Sequence, residues 1–222
     1  MADDYIGKKM EEYMSRKGAT PTKRKAATSL NQLLLRNRSH RAYDTSFAVR
    51  DDQLHSIIEV YTRTPSARNR QPLRFRPVSG SEADSLLPLI RMGAALPELH
   101  LPTVESAPRA FIVICSTIPE DRYIDIDLGI TAQSMLLRAV EMGLNGCCIA
   151  AFNPDAVQQA LGLTLKPLLI LALGKGADHI ELTDATPDSD LNYYRSEGVH
   201  YVPKLRTEDI IIRPSEQNNS KE

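Results

Sequence analysis

Hydrophobic residues recur with helical spacing in several stretches of this chain. Leu30 and Leu33 follow Ser29, a favourable N-cap residue, and predict a first helix. Asp51 to Tyr61 is predicted as a second helix, because its apolar residues fall on one face and two acids lie at its positive end. Ser81 to Met92 has the same spacing and predicts a third helix.

Other stretches are continuous apolar runs of strand length, which are typical of the centre of a sheet. Three such runs are Arg109–Ser116, Cys147–Phe152 and Leu168–Leu173. Arg74 to Val78 alternates instead, and Pro77 within it cannot donate to a ladder, so an edge strand is predicted there. A last strand is predicted from Asp209 to Arg213, after a polar stretch.

The longest predicted helix runs from Asp125 to Leu144, and Gly143 is expected to end it. Met135 and Leu136 widen its apolar stripe until the stripe almost encircles the helix. The remaining members of the stripe are Ile126, Ile130, Gln133, Leu137 and Val140. A helix that is apolar all round lies in a core or at a subunit interface.

The order of these elements predicts a mixed α+β fold with a central sheet, flanking helices and a long core helix. No glycine-rich phosphate fingerprint occurs, so any phosphate must be bound by side chains. Residues 1–28 are interpreted as an N-terminal extension or arm, 29–213 as the main domain and 214–222 as a polar tail. Gly93 to Pro108 is irregular and could cover a site.

Composition excludes several function classes for this 222-residue chain. The formal net charge of −1 argues against nucleic-acid or membrane-surface binding through bulk charge. No run reaches the ~18 apolar residues of a membrane helix, and the acidic N-terminus lacks a secretory signal. The three cysteines form neither a disulfide framework nor a metal-binding spacing. A cytoplasmic protein without a metal site is therefore expected.

Polar chemistry concentrates in three places. Thr64 to Pro72 is a proline-bracketed row of hydrogen-bond donors with no apolar residue larger than alanine. Arg38, Ser39 and Arg41 follow the first helix, where cations can complement the helix dipole or grip a phosphate. Lys204-Leu205-Arg206 places two more cations on one face of an extended segment. These cations either form an ordinary solvated surface or bind the same phosphate as Arg38 and Arg41.

Taken together, these motifs resemble those of the nitroreductase family of FMN-dependent oxidoreductases. The resemblance covers roughly Leu33 to Ile211 in the expected order. Its motifs are Arg38-Ser39-x-Arg41-x-Tyr43, Pro65-Ser66-Ala67-x-Asn69-x-Gln71-Pro72, Asp127-Leu128-Gly129 with Gln133, Gly143-Leu144-Asn145-Gly146-Cys147-Cys148, Leu171-Ala172-Leu173-Gly174 and Lys204-x-Arg206.

The resemblance implies a nitroreductase-like fold in an interlocked homodimer, with FMN at the subunit interface. Arg38, Ser39, Lys204 and Arg206 would hold the phosphate and ribityl chain, and Arg41 the pyrimidine edge. From the other subunit, Pro65, Ser66, Ala67 and Asn69 would reach the same FMN, with Gln71 near the pyrimidine. Backbone groups of Ala150 and Ala151 would face the flavin N5.

The activity implied is hydride transfer from NADH or NADPH to FMN, and then to an electron-poor small molecule such as a nitroaromatic or quinone, by a ping-pong mechanism. No catalytic side chain is predicted, because the flavin carries the chemistry. Alternatives are a flavoenzyme of the same fold that acts as a dehalogenase or dehydrogenase, and an FMN-binding protein without turnover. The donors of Pro65–Pro72 are expected to lack partners in a single subunit.

Overall fold

The computed structural model describes residues 28–212, and two layers of helices enclose a four-stranded sheet there. The helices of this part of the chain are α1 (Leu30–Arg36), α2 (Asp51–Glu59), α3 (Ser81–Leu86), α4 (Arg122–Glu141), α5 (Pro154–Ala160) and α6 (Thr207–Ile210). The strands are β1 (Leu73–Ser79), β2 (Ala110–Ser116), β3 (Asn145–Ile149), β4 (Pro167–Gly174), β5 (His179–Ala185), β6 (Tyr194–Ser196) and β7 (Val199–Leu205). The predicted tail at 214–222, and the predicted extension except residue 28, lie outside the described residues.

The main sheet is antiparallel throughout, in the order β1-β2-β4-β3. Two of the three continuous apolar runs supply β2 and β4, which occupy its centre, where both faces are covered. The third run, Cys147–Phe152, instead contributes to β3 at the edge of the sheet. β1 is an edge strand, as predicted, and Pro77 pairs with Ile112. The expected α+β class with a central antiparallel sheet is therefore confirmed.

The alternating side chains of β2 divide the core into two clusters. Ile112 and Ile114 pack on the side of α2 and α4, whereas Phe111 and Val113 pack on the side of α3 and α5. All four of these side chains are fully buried. Burial of each contributes roughly 1.5–3 kcal/mol, so the sheet is held from both faces.

The long helix α4 begins three residues earlier than predicted, because Asp121 is its N-cap and accepts hydrogen bonds from the first turn. Gly143, at φ +80°, follows its C-terminus as expected. Met135 and Leu136 face the core, but Ile126 is 47% exposed. One face of α4 thus supports the sheet, whereas Ile126, on another face, stays exposed in the part of the chain that the structure describes.

The chain after β4 differs from the prediction. β5, β6 and β7 form a second sheet in the order β5-β7-β6, where a polar stretch was expected. This sheet was missed because its side chains are mostly exposed or half-buried, so its pattern is weak. The predicted strand from Asp209 to Arg213 is wrong, because α6 occupies Thr207–Ile210 and Arg213 lies outside the described residues.

Two other helix boundaries differ from the prediction. α2 ends at Glu59 rather than Tyr61, and a 3-10 turn, Val60–Arg63, follows it. The third helix stops at Leu86 rather than Met92, and a 3-10 turn containing Pro88 follows it, because proline cannot continue the hydrogen-bond pattern.

Cys115 and Cys147 are buried as expected of small apolar side chains, whereas Cys148 is exposed. No helix among the described residues is both long and apolar enough to cross a membrane.

Candidate functional site

A cationic cleft of about 430 Å³ opens between the end of α1, the surface of α4 and the second sheet. No aspartate or glutamate lines it, although the described chain as a whole carries many acids. Its lining residues are Leu34, Asn37, Arg38, Ser39, Arg41, Gln133, Ile180, Tyr193, His200, Val202 and Lys204. A cleft with cations, amides and a hydroxyl is suited to an anionic ligand.

Arg38 follows the capped end of α1 and turns its guanidinium back toward that helix. Its Nη2 donates to the carbonyl of Leu34 at 2.5 Å, while its buried Nε has no hydrogen-bond partner among residues 28–212. Burial lowers the pKa of Arg38. An unpartnered buried guanidinium donor is costly, and an anionic ligand would satisfy it.

Arg41 is held against the second sheet. Its Nη1 donates to the carbonyl of Ser39 at 3.0 Å, and its guanidinium carbon lies 4.3 Å from the centre of the Tyr193 ring. The same Nη1 lies 3.4 Å from Nε2 of His200. Arginine can only donate, so His200 accepts there as the neutral imidazole. Burial, then Arg41 and Arg195, lower the pKa of His200 in agreement with that state.

Asp178 fixes the loop that carries these arginines. Its carboxylate accepts from the backbone N–H groups of Arg41, at 2.6 Å, and Ala42, at 2.9 Å, and from Nη2 of Arg195, at 2.6 Å. Nearby, His40 is buried and packs so closely on Gly176 that no β-carbon could be accommodated there. Burial lowers the pKa of His40, which favours the neutral imidazole. The loop therefore packs against a neutral histidine and is hydrogen-bonded to the carboxylate of Asp178.

The predicted C-terminal cations separate in the structure. Lys204, near the end of β7, lines the cleft with Arg38 and Arg41. Arg206 does not line it, and its Nε donates to Asp209 at 2.9 Å instead. This pair is exposed, and exposed ion pairs typically contribute under about 1 kcal/mol, so Arg206 could exchange Asp209 for another anion at low cost.

The segment Pro65–Pro72 lies on α4 rather than in the cleft. The Ser66 hydroxyl donates to Asp127 at 2.7 Å, and the Ala67 N–H donates to the same carboxylate at 2.9 Å. The expectation that the donors of this segment lack partners in a single subunit is therefore wrong for Ser66 and Ala67. Asp127 is buried, and its carboxylate is engaged in this tertiary contact rather than exposed to solvent.

Backbone conformation in this segment is unusual. Arg68, Asn69 and Gln71 all have positive φ, between 47° and 54°, which side-chain-bearing residues seldom adopt. Gln71 closes the turn, since its N–H donates to Ser66 Oγ at 3.0 Å and its Nε2 to Asn69 Oδ1 at 2.9 Å. Such strain is concentrated at functional sites, and here it leaves Asn69 exposed at the surface.

Ala150 and Ala151 follow the last residue of β3, Ile149, and both are exposed. The carbonyl of Ala151 accepts from the N–H of Arg91 at 2.8 Å, so the segment that follows α3 borders this strand end. Neither alanine lines the cationic cleft. Apart from Arg206, which lies outside the cleft, the predicted site residues thus form three groups: the cleft, the segment on α4 and the end of β3.

The comparison with known families agrees with this architecture. The family model described as "Nitroreductase family" matches residues 34–175, which is most of the chain. The chain therefore belongs to the nitroreductase family. No curated protein sequence resembles it closely enough to count as a relative.

Solved structures share the fold. An FMN and NADPH-dependent nitroreductase from Sphigopyxis sp. strain HMH is 19% identical, with a TM-score of 0.61 over 84% of this chain and 99% of its own. A nitroreductase family protein from Clostridium difficile 630 is 23% identical, with a TM-score of 0.54 over 68% and 86%. A candidate nitroreductase in complex with FMN from Exiguobacterium sibiricum 255-15 is 22% identical, with a TM-score of 0.57 over 69% and 91%.

Several residues of the site were not predicted from the sequence. Tyr193 and His200 wall the cleft, and Asp178 organises its loop, but each lies in a stretch interpreted as polar. No local motif marks them. Asp127 belongs to the Asp127-Leu128-Gly129 motif of the family resemblance, and that motif was the signal in the sequence that pointed to a functional role for it.

Proposed function

We propose that this protein is an FMN-dependent oxidoreductase that uses NADH or NADPH to reduce an electron-poor small molecule. The observation that carries the proposal is the cationic cleft with buried, unpartnered Nε atoms on Arg38 and Arg41. These donors and Lys204 suit the phosphate and the pyrimidine edge of FMN. The similar fold of the FMN and NADPH-dependent nitroreductase from Sphigopyxis supports the same assignment.

The residues of the chain would divide the binding as follows. Arg38, Ser39 and Lys204 would hold the phosphate and ribityl chain, with Arg206 joining them by releasing Asp209. Arg41, fixed by Tyr193, would lie at the pyrimidine edge. The cofactor, when bound, supplies the hydride chemistry, and these side chains position it and balance its charge.

A second copy of the chain would complete the site. Pro65–Pro72 does not reach the cleft of its own chain, although both lie against α4. In a homodimer, Pro65, Ser66, Ala67 and Asn69 of one subunit would serve the cleft of the other. Because the Ser66 hydroxyl proton is engaged by Asp127, Ser66 would accept a hydrogen bond from the ligand rather than donate one.

Gln71, Ala150 and Ala151 are proposed to face the flavin ring, the alanines at N5. No side chain is proposed as acid or base, since the reaction needs none beyond the cofactor. The free thiols of Cys115, Cys147 and Cys148 fit a reducing compartment, and we assign the enzyme to the cytoplasm.

The test is spectroscopic. The purified protein should be yellow, and excess NADH or NADPH should bleach the flavin band under anaerobic conditions. Nitrofurazone or a quinone should then restore the band. Steady-state turnover should give the parallel double-reciprocal plots of a ping-pong mechanism. A flavin that stays oxidised would instead indicate a binding protein without turnover. Reduction without reoxidation by any nitro or quinone acceptor would indicate dehalogenase or dehydrogenase chemistry, and a colourless protein not stabilised by FMN would overturn the proposal.

A further inference from the structure

A second cavity, of about 670 Å³, lies beside the proposed flavin site and has no assigned ligand. It is formed by the chain between Leu87 and Pro102, which includes the start of the irregular segment. Its volume is within the range of sites that hold small molecules. Met92 and Leu101, both buried, give its wall an apolar surface suited to an aromatic ring.

Two hydrogen bonds and one close approach join the segment that forms this cavity to the proposed flavin site. The N–H of Arg91 donates to the carbonyl of Ala151, next to the proposed N5 position. A β-carbon built on Gly93 would lie 3.5 Å from Cδ of Arg41, at the proposed pyrimidine edge. The N–H of Ala95 donates to the Tyr193 hydroxyl at 3.1 Å. The cavity wall therefore borders two edges of the proposed flavin site.

In the part of the chain that the structure describes, Arg91 and His100 are the ionisable residues that line the cavity, and no carboxylate lines it. Glu98 lies in the 3-10 turn between them but does not line the cavity. Arg91 donates one weak bond, from Nη1 to its neighbour's carbonyl at 3.3 Å, and forms no ion pair among the described residues. A guanidinium has five donors, so most of its hydrogen-bonding capacity remains free.

The backbone around these residues is also constrained. His100 has φ +45°, a left-handed conformation that is uncommon outside glycine, and its N–H donates to the carbonyl of Pro97. Strain of this kind marks binding sites more often than plain connections. His100 therefore lies on the cavity wall in a constrained conformation, and no described Asp or Glu lines that wall.

We propose that this cavity receives the electron acceptor, and that Arg91 selects acceptors bearing an anionic substituent such as an aromatic carboxylate. The inference rests on the proposed function for the identity of the neighbouring flavin. The apolar wall would take the ring, and the free guanidinium donors would pair with the carboxylate in the bidentate geometry that arginine favours.

The test compares binding of 4-nitrobenzoate and 4-nitrobenzamide to the purified protein, by calorimetry without NADH or NADPH. The two ligands differ in charge and little in size. The native protein should bind the anion about tenfold more tightly or better, the difference expected for one charge-assisted hydrogen bond. Arg91→Gln should abolish this preference, and Arg91→Lys should retain part of it.

Arg63→Gln is the matched control, because Arg63 is an exposed arginine that pairs with Glu59 and does not line the cavity. Its preference should equal that of the native protein. Equal affinity for both ligands, no binding of either, or a preserved preference in folded Arg91→Gln would overturn the proposal. These results are independent of whether the flavin turns over, so they are distinct from failure of the proposed function.

Discussion

Asp127 is the residue on which the placement of Pro65–Pro72 depends. Its buried carboxylate receives the Ser66 hydroxyl and the Ala67 N–H, which lie 61 and 60 residues away in sequence. Two donors to one charged acceptor restrain a turn that otherwise contains three strained residues. The carboxylate is therefore a positioning group for the segment that would reach the partner subunit's cofactor.

Replacement of Asp127 by alanine should lower the free energy of unfolding by about 2–3 kcal/mol, because it leaves two donors without their charged acceptor. Urea denaturation measures the change. Asp125→Ala is the control, since Asp125 is exposed in the first turn of α4 and pairs only with the helix dipole, worth about 0.3–1 kcal/mol. Equal losses in the two variants would show that Asp127 does not hold the segment.

At the scale of elements, the start of β3 connects the cleft to the core. Gly146 bridges to Ser39, and its carbonyl accepts from the N–H of His40 at 3.2 Å. A β-carbon built on Gly146 would lie 2.5 Å from Cδ2 of Leu136 and 2.8 Å from the carbonyl oxygen of Ala172. Glycine is therefore required here by close approach between β3, α4 and β4.

Gly146→Ala should cost about 1–3 kcal/mol of unfolding free energy, since the backbone of β4 cannot move aside without disturbing the central sheet. Gly143→Ala isolates a different effect, because its β-carbon would meet open space but φ is +80°. That variant should lose about 1 kcal/mol from backbone strain alone. Only Gly146→Ala should also shift the NMR signals of the Ser39 loop, and unchanged signals would count against the connection.

For the whole molecule, the uncovered apolar residues of α1 and α4 indicate where a second copy would bind. Leu30 and Leu35 of α1 are 62% and 59% exposed, and Ile126 of α4 is 47% exposed. Gln133, on the same helix as Ile126, lines the cationic cleft and accepts from Asn37. Association of two copies through this surface would bury these apolar side chains and would at the same time complete the proposed cofactor site.

Ile126→Glu should therefore abolish dimerisation and FMN retention together, because a buried charge without a partner is strongly unfavourable. Analytical ultracentrifugation gives the mass, and the flavin-to-protein absorbance ratio gives the occupancy. Ile126→Val, which keeps an apolar side chain, should remain dimeric and yellow. A monomer with full FMN content would refute the shared site.

The sequence by itself determined the main sheet, the order of elements as far as β4 and the basic group at Arg38–Arg41. These features depend on local periodicity and on short motifs, which can be recognised in a single sequence. The tertiary structure decided that Asp127 holds Ser66, that Tyr193 and His200 wall the cleft, and that Arg91 faces a cavity. Those roles arise from contacts between distant segments, and local patterns carry no information about which distant side chain will satisfy a buried donor.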